Sequence, residues 1–481
     1  MTTTTNVASP ESSHRLDGNL GVGSIVFMVI AAAAPLTVVG GNGPITIASG
    51  NGAGAPAGYV IASLVMLLFA VGFVTMTPYV KEAGAFFSYV TLGMGRKCGV
   101  GTAFLALVAY TAIQAAIYGY TGWAVNDFVR HLGGPEVPWW IYAFLSVAIV
   151  AFMGYRHIDL SSKVLGIALV LEIGVVLIMD LAVFGSGGAH GIEVSSFSPT
   201  TVFSSGLGVS VLFALTGFIG FEATAVFRDE ARDPNHTIPR ATYWAVIIIG
   251  VFYSISVWAL VVGNGANEAR GIAEQTLNGN SNMIMDTAQA YAGKVIRDVM
   301  QVLLLTSLFA CAMSFHNVLA RYKFNLSKKG TLPLVLAHIH PVHQSPSRAS
   351  LVQTVIGASL MVICSLLGLN PLVQVFGYLA SIATVGMVGL MLLTSIAVVR
   401  FFRQHPELAN NRPWRTCIFP TLSVVALAAC LLLVFSNFTL VTGGGLGISI
   451  ILAVIPFLAF AIGTLFSRSS VAEHKQWRER D

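Results

Sequence analysis

Gly217-Phe218-Ile219-Gly220-Phe221-Glu222 interrupts an apolar run that extends from about Val202 to Phe227. Two glycines and an acid stand where a lipid-facing helix would carry Leu, Ile or Val. Glycine costs about 1 kcal/mol against alanine in a helix interior. An acid at bilayer depth costs about 2.5–3.5 kcal/mol on insertion scales. A plain anchor has no use for either. A helix interrupted inside a membrane exposes backbone N–H and C=O groups, and those groups can hold a small ion or solute. The stretch therefore reads as half of a binding site, and the other half should be a matching interruption elsewhere in the chain.

The rest of the sequence supplies the membrane. The chain has 481 residues, of which 55% are hydrophobic and 10% charged, and its mean hydropathy is +0.77. A soluble domain is nearer a quarter charged. The fold class is an all-α polytopic membrane protein. The net charge of +5 is dispersed between apolar segments, so no nucleic-acid partner is expected. The five cysteines lie in or beside apolar segments without CxxC spacing and read as buried thiols, with no metal site and no disulfide framework. No P-loop and no HExxH motif occurs, which argues against ATP coupling in this chain and against a zinc enzyme. No catalytic residues and no cofactor are expected.

Taking about 20 apolar residues per crossing, the sequence gives twelve spans, at about 20–48, 57–77, 100–126, 139–155, 162–184, 203–227, 240–262, 298–320, 350–369, 371–399, 416–437 and 444–466. With the N-terminus inside, 22 of the 26 basic residues fall on the cytoplasmic side, and only Arg130, Arg270, Lys294 and Arg297 fall outside. The positive-inside rule supports that orientation. The expected location is a plasma or inner membrane crossed many times, with both termini cytoplasmic. Residues 1–19 form a disordered cytoplasmic tail without signal-peptide features. Residues 20–399 form a core of spans 1 to 10, 416–466 add spans 11 and 12 as a peripheral pair, and 467–481 are a cytoplasmic tail.

The matching interruption is sought in span 1. Thirty helical residues would reach about 45 Å, more than a bilayer core needs, and the span contains Pro35, Gly40, Gly41, Gly43 and Pro44. Proline in a helix interior removes a hydrogen bond and clashes with the preceding turn. A break between Ala33 and Gly43 is expected, with a simple proline kink as the alternative. Interruptions in spans 1 and 6, five spans apart, point to a five-plus-five inverted repeat with broken helices 1 and 6.

Other candidates follow from depth and helical spacing. Lys81–Tyr89 suits an interfacial helix on the cytoplasmic side. Gln114 and Tyr118, four apart, share a helical face and point either at a polar cavity or at a neighbouring helix. Glu172 lies near mid-depth in span 5 and can carry a proton or hold a structural hydrogen bond; Asp180 is nearer the outer interface. Gly377, Ser381, Thr384 and Gly386 of span 10 either line a pore or pack helices closely. Asn264 to Gly293 reads as an outer loop over the entrance.

Phe218-Ile219-Gly220-Phe221-Glu222, followed by Asp229-Glu230 and by Asp233-Pro234-Asn235-His236-Thr237-Ile238-Pro239-Arg240-Ala241, resembles the span 6 signature of the amino acid–polyamine–organocation superfamily. Gly84-Ala85-Phe86-Phe87-Ser88-Tyr89 is similar to its Gly-Gly-x-Tyr-x-Tyr element, and Arg321 through Pro333 to its span 8–9 loop. The resemblance implies the five-plus-five fold with a small-molecule substrate held between spans 1 and 6. It implies substrate contacts at Ala34, Pro35, Leu36, Thr37 and Val38, and at Thr216, Gly217, Phe218, Ile219 and Gly220, with Phe315 packing on the substrate. Pro35-Leu36-Thr37 stands where the family has Gly-Ser-Gly. Pro35 has no N–H to offer a carboxylate, so the resemblance leaves an amine or another small organic cation open beside an amino acid. Glu172 falls where some proton-coupled relatives carry a lysine.

The reading that follows is a permease for an amino acid or related amine, working by alternating access between the two sides of the lipid bilayer. Glu172 or Glu222 would couple it to H+. Gln114, Tyr118 and Ser381 complete the candidate substrate contacts. An exchanger, or a sensor that binds without flux, is the alternative.

Overall fold

Pro35 sets the first corner of the fold. In the computed structural model, which describes residues 20–80, 85–156, 162–226, 231–342, 345–409, 412–441 and 445–478, helix α1 (Val22–Ala33) stops just before it. A proline disfavours the α conformation in the residue that precedes it. That residue, Ala34, turns to φ 48°, ψ 70°. It is the one non-glycine residue at positive φ among those described. For an L-residue this conformation costs about 1–2 kcal/mol. Pro35 then opens α2 (Pro35–Thr37) at the first position, where proline is favoured. A π-helical turn, Val38–Asn42, leads on into α3 (Gly43–Ala48).

The chain continues through α4 (Ala55–Met76), α5 (Ala85–Met94), α6 (Arg96–His131), α7 (Trp139–Tyr155) and α8 (Ser162–Ser186). Short α9 (Pro199–Val202) precedes α10 (Leu207–Thr216), α11 (Ala223–Val226) and α12 (Pro234–Asn264). Next come α13 (Ala269–Leu277), α14 (Met283–Ala292), α15 (Lys294–Lys328) and α16 (Ser347–Leu366). The last are α17 (Gly377–Gln404), α18 (Phe419–Ser436), α19 (Phe438–Val441) and α20 (Leu446–Arg478). No strand occurs among the described residues, and the one β-like contact is an isolated bridge between Leu20 and Ala231.

The protein is an all-helical, multi-pass membrane protein. Ten of its helical runs are long and apolar enough to cross a bilayer, counting Val22–Ala48 as one. Two of the twelve expected spans fall short of that measure: α7 has 17 residues and α10 has 10. α7 begins only after Pro138. α10 ends where Gly217 follows.

α6 is the axis of the bundle, with α5, α7, α15, α17 and α20 packed along it. α18 lies along α4, α10 and α17, and it meets α20 at the rings of Phe435 and Phe457, 6.0 Å apart. Two local expectations are corrected, and Asp180 finds its partner. The segment expected to lie at the interface is described from Ala85 on, with residues 81–84 outside the described residues. It forms α5, but Phe86 and Tyr89 are buried in protein, Tyr89 stacking on Phe73 at 4.6 Å. The same aromatic cluster reaches Phe221 through Phe69 at 5.7 Å. Asn264 to Gly293 folds as α13 and α14 rather than as a loop. Arg270 of α13 donates to the Gly50 carbonyl at 2.9 Å, just past the C-terminal end of α3. Asp180 faces protein. It is buried and accepts the Ser256 hydroxyl of α12 at 2.7 Å. The tail 1–19 and the loop residues 227–230 lie outside the described residues.

Candidate functional site

Two turns meet in the interior. Between α10 and α11 the backbone tightens into three-residue turns: Ile219 N–H donates to Thr216 at 3.1 Å, Phe221 N–H to Phe218 at 3.2 Å and Ala223 N–H to Gly220 at 3.1 Å. Gly220 sits at φ 108°, the region open to glycine. Gly217 serves a different need, close approach. A Cβ there would lie 2.9 Å from Val38 Cγ1 and from Tyr253 Cε2. The α10–α11 turn is thus pressed against the segment that follows Ala34, and Asn42 Nδ2 adds a bond to the Phe213 carbonyl at 2.9 Å.

Glu222 closes its own turn. Its carboxylate accepts the Gly220 N–H at 3.0 Å and the Tyr110 hydroxyl of α6 at 2.5 Å. Both contacts are donors, as an acceptor-only carboxylate requires. Thr216 donates to Leu212 at 3.0 Å and meets the Thr384 hydroxyl of α17. Phe218 and Ile219 are buried, Phe218 lying edge-on to Tyr253 with centroids 6.3 Å apart.

At the Ala34 turn the exposed peptide groups are also taken up by side chains. The Ala33 carbonyl accepts the Tyr253 hydroxyl at 3.2 Å. The Leu36 N–H faces the Glu172 carboxylate of α8. Ser307 of α15 donates to Glu172 Oε2 at 2.9 Å, and Thr37 donates to Ser307 at 3.2 Å. None of the ion pairs among the described residues involves Glu172. Glu172 and Ser307 line a cavity of 390 Å³ between α8 and α15. Leu169, Leu305, Phe309 and Phe128 form its apolar walls, and Ala31 touches it from the last turn of α1.

The remaining sequence candidates lie elsewhere or turn inward. Gln114 and Tyr118 belong to a buried network with α15 and α16. Gln114 Nε2 donates to the Tyr118 oxygen at 2.9 Å, and its Oε1 accepts from Gln353 at 2.6 Å. Gln353 in turn takes the Lys323 ammonium, and His316 meets Ser350 at 2.8 Å. Ser381 donates to Gly377 of its own helix at 2.6 Å. Phe315 is buried against the Tyr110 ring, 6.1 Å between centroids. Among the described residues no group of three or more His, Cys, Asp or Glu is placed to hold a metal ion.

Four residues that the sequence reading passed over shape this region: Tyr110, Tyr253, Ser307 and the buried Lys323. Tyr110 carried a signal, since 110, 114 and 118 recur every four residues on one face of α6. Lys323 carried one too, seven residues after His316. For Ser307 and Tyr253 nothing local marks the role. Each is brought to the turn by helices distant in sequence.

The profile of the amino acid permease family matches residues 20–462. A branched-chain amino acid permease of Bacillus subtilis is 24% identical over 403 residues, 80% of each chain. A probable GABA permease of Pseudomonas aeruginosa is 24% identical, again over 80% of each chain. A methylthioribose transporter of Bacillus subtilis is 19% identical over 79% of each chain.

Proposed function

The chain belongs to the amino acid permease family, and from that premise we propose that it is a secondary transporter that carries an amino acid or related small amine by alternating access. The single observation that carries this reading is the contact between the Ala34 turn and the Gly217–Glu222 turns, where Val38 packs on Gly217. Ends of helices that stop inside a bundle present peptide dipoles to a charged solute. In this proposal the cargo touches Ala34 to Val38 on one side and Thr216 to Gly220 on the other.

The fuller arrangement is part of the same proposal. The helix pairs α1/α3 and α10/α11 are the broken helices 1 and 6 of a five-plus-five inverted repeat. α7 counts as a span, since its 17 residues rise about 26 Å. The count then reaches twelve, with both termini on the cytoplasmic side of a plasma or inner membrane. Residues 20–399 are the transport core, and 416–466 supply the last two spans.

Coupling is assigned to H+ through Glu172. Of the two acids at the turns, Glu172 lines a cavity, whereas Glu222 is occupied with its own turn and Tyr110. Uptake of radiolabelled amino acids and amines by the full chain in proteoliposomes tests the reading. Wild type should take up cargo faster with an inward proton gradient. Glu172→Gln should abolish that dependence. Unchanged pH dependence in the variant removes Glu172 from coupling, and binding without any flux removes transport.

A further inference from the structure

We propose that the cavity at Glu172 takes the cargo as an organic cation without a carboxylate: its ammonium on Glu172, its apolar body between α8 and α15. This rests on the transport reading in treating the cavity as the cargo's, and it narrows the cargo's place to the Glu172 side of the Ala34 turn, against Ala31, rather than between the two turns. The cavity is 390 Å³, and of its eleven lining residues Glu172 is the one acid and none is basic. Its other polar contributions are the hydroxyls of Thr306 and Ser307, and the rest of the wall is aliphatic or aromatic. An apolar pocket with one convergent charge selects a ligand of the opposite charge and an apolar remainder.

Several donors that a cargo carboxylate would use at the turn are already committed. Pro35 has no N–H. The next amide along the turn, Leu36 N–H, faces Glu172. The Ser307 hydroxyl donates to the same carboxylate at 2.9 Å, and the Thr37 hydroxyl is spent on Ser307 at 3.2 Å. The protein's own carboxylate thus fills the place at the turn that an incoming one would occupy. A second carboxylate would find these donors taken and would meet like charge. An ammonium meets neither obstacle. Glu172 has acceptor capacity beyond these contacts, and it stands at the wall of the cavity rather than behind it.

Three ligands of one skeleton test this on purified full-length protein in nanodiscs at pH 8, by calorimetry: leucine, 3-methylbutylamine (leucine without its carboxylate) and 4-methylpentanoate (leucine without its amine). The expected order is the amine at least tenfold tighter than leucine, with no binding of the acid. Glu172→Gln should weaken the amine at least tenfold. Ala168→Leu, which fills the cavity without altering its charge, should weaken it as well. Leucine binding as tightly as the amine to wild type, or no amine binding to wild type, overturns the proposal without recourse to any variant. Undiminished amine binding in a folded Glu172→Gln protein also overturns it. Amine binding without flux in proteoliposomes would remove transport and leave this site standing. Leucine flux without amine binding would do the reverse.

Discussion

Glu172 and Glu222 are both 5% exposed, and both accept hydrogen bonds beside a turn of the interior chain. They differ in what lies behind them. Glu222 answers to the Gly220 N–H two residues away and to Tyr110, and it forms part of the turn it caps. Glu172 reaches across from α8 to a turn it does not belong to and stands at the edge of a cavity. Burial alone does not distinguish them. The separating features are access and whether the partners are local. A second contrast runs through the turns themselves. One bends at Gly220 without steric cost; the other bends at Ala34, which has a Cβ to accommodate.

The comparison can be broken at several strengths. Glu222→Ala strikes hardest, because it leaves the buried Tyr110 hydroxyl and the part-buried Gly220 N–H without a partner. Two such groups cost roughly 2–6 kcal/mol together. Thermal unfolding in detergent should show a large loss, and a wild-type melting temperature would mean that Glu222 does not hold its turn. Gly220→Ala comes next. The space is sufficient, since Ala32 would lie 3.5 Å from the new Cβ, so the loss of about 1–2 kcal/mol comes from the backbone at positive φ. Ala34→Gly is smallest and opposite in sign. It relieves the strained conformation but frees the unfolded chain, so a gain below about 1 kcal/mol is expected. Destabilisation by Ala34→Gly would show that the methyl group contributes more through packing than it costs in strain.

What could be read beforehand follows the same division between local and distant causes. Pro35 is legible because its ring acts on its own neighbours, and the residue that turns is the one before it. The glycines of 217–220 are legible because their cost in a helix is a property of the residue. Gln114 and Tyr118 share a face as spacing requires, but whether that face looks into a cavity or onto α16 depends on packing. Span 1's partner in the Glu172 cluster, Ser307, lies 135 residues from that acid, and nothing in its surroundings distinguishes it from any serine in an apolar helix. Phe86 and Tyr89 mislead for a related reason. Aromatic residues beside polar ones suit a membrane interface, and they suit equally a helix tucked beneath Phe73. In 264–293 the Asn and Gly residues of the turn at 278–282 masked two helices of only 9 and 10 residues.

The account's central claim is that the cargo sits where the Ala34 turn faces Glu172. A cryo-electron microscopy map of the full chain with saturating 3-methylbutylamine or leucine tests it most directly. Ligand density is predicted against Ala31, Glu172 and Ser307. Density instead in the polar cavity beside Asp127 and Asn278, with the Glu172 cavity unoccupied, would contradict it.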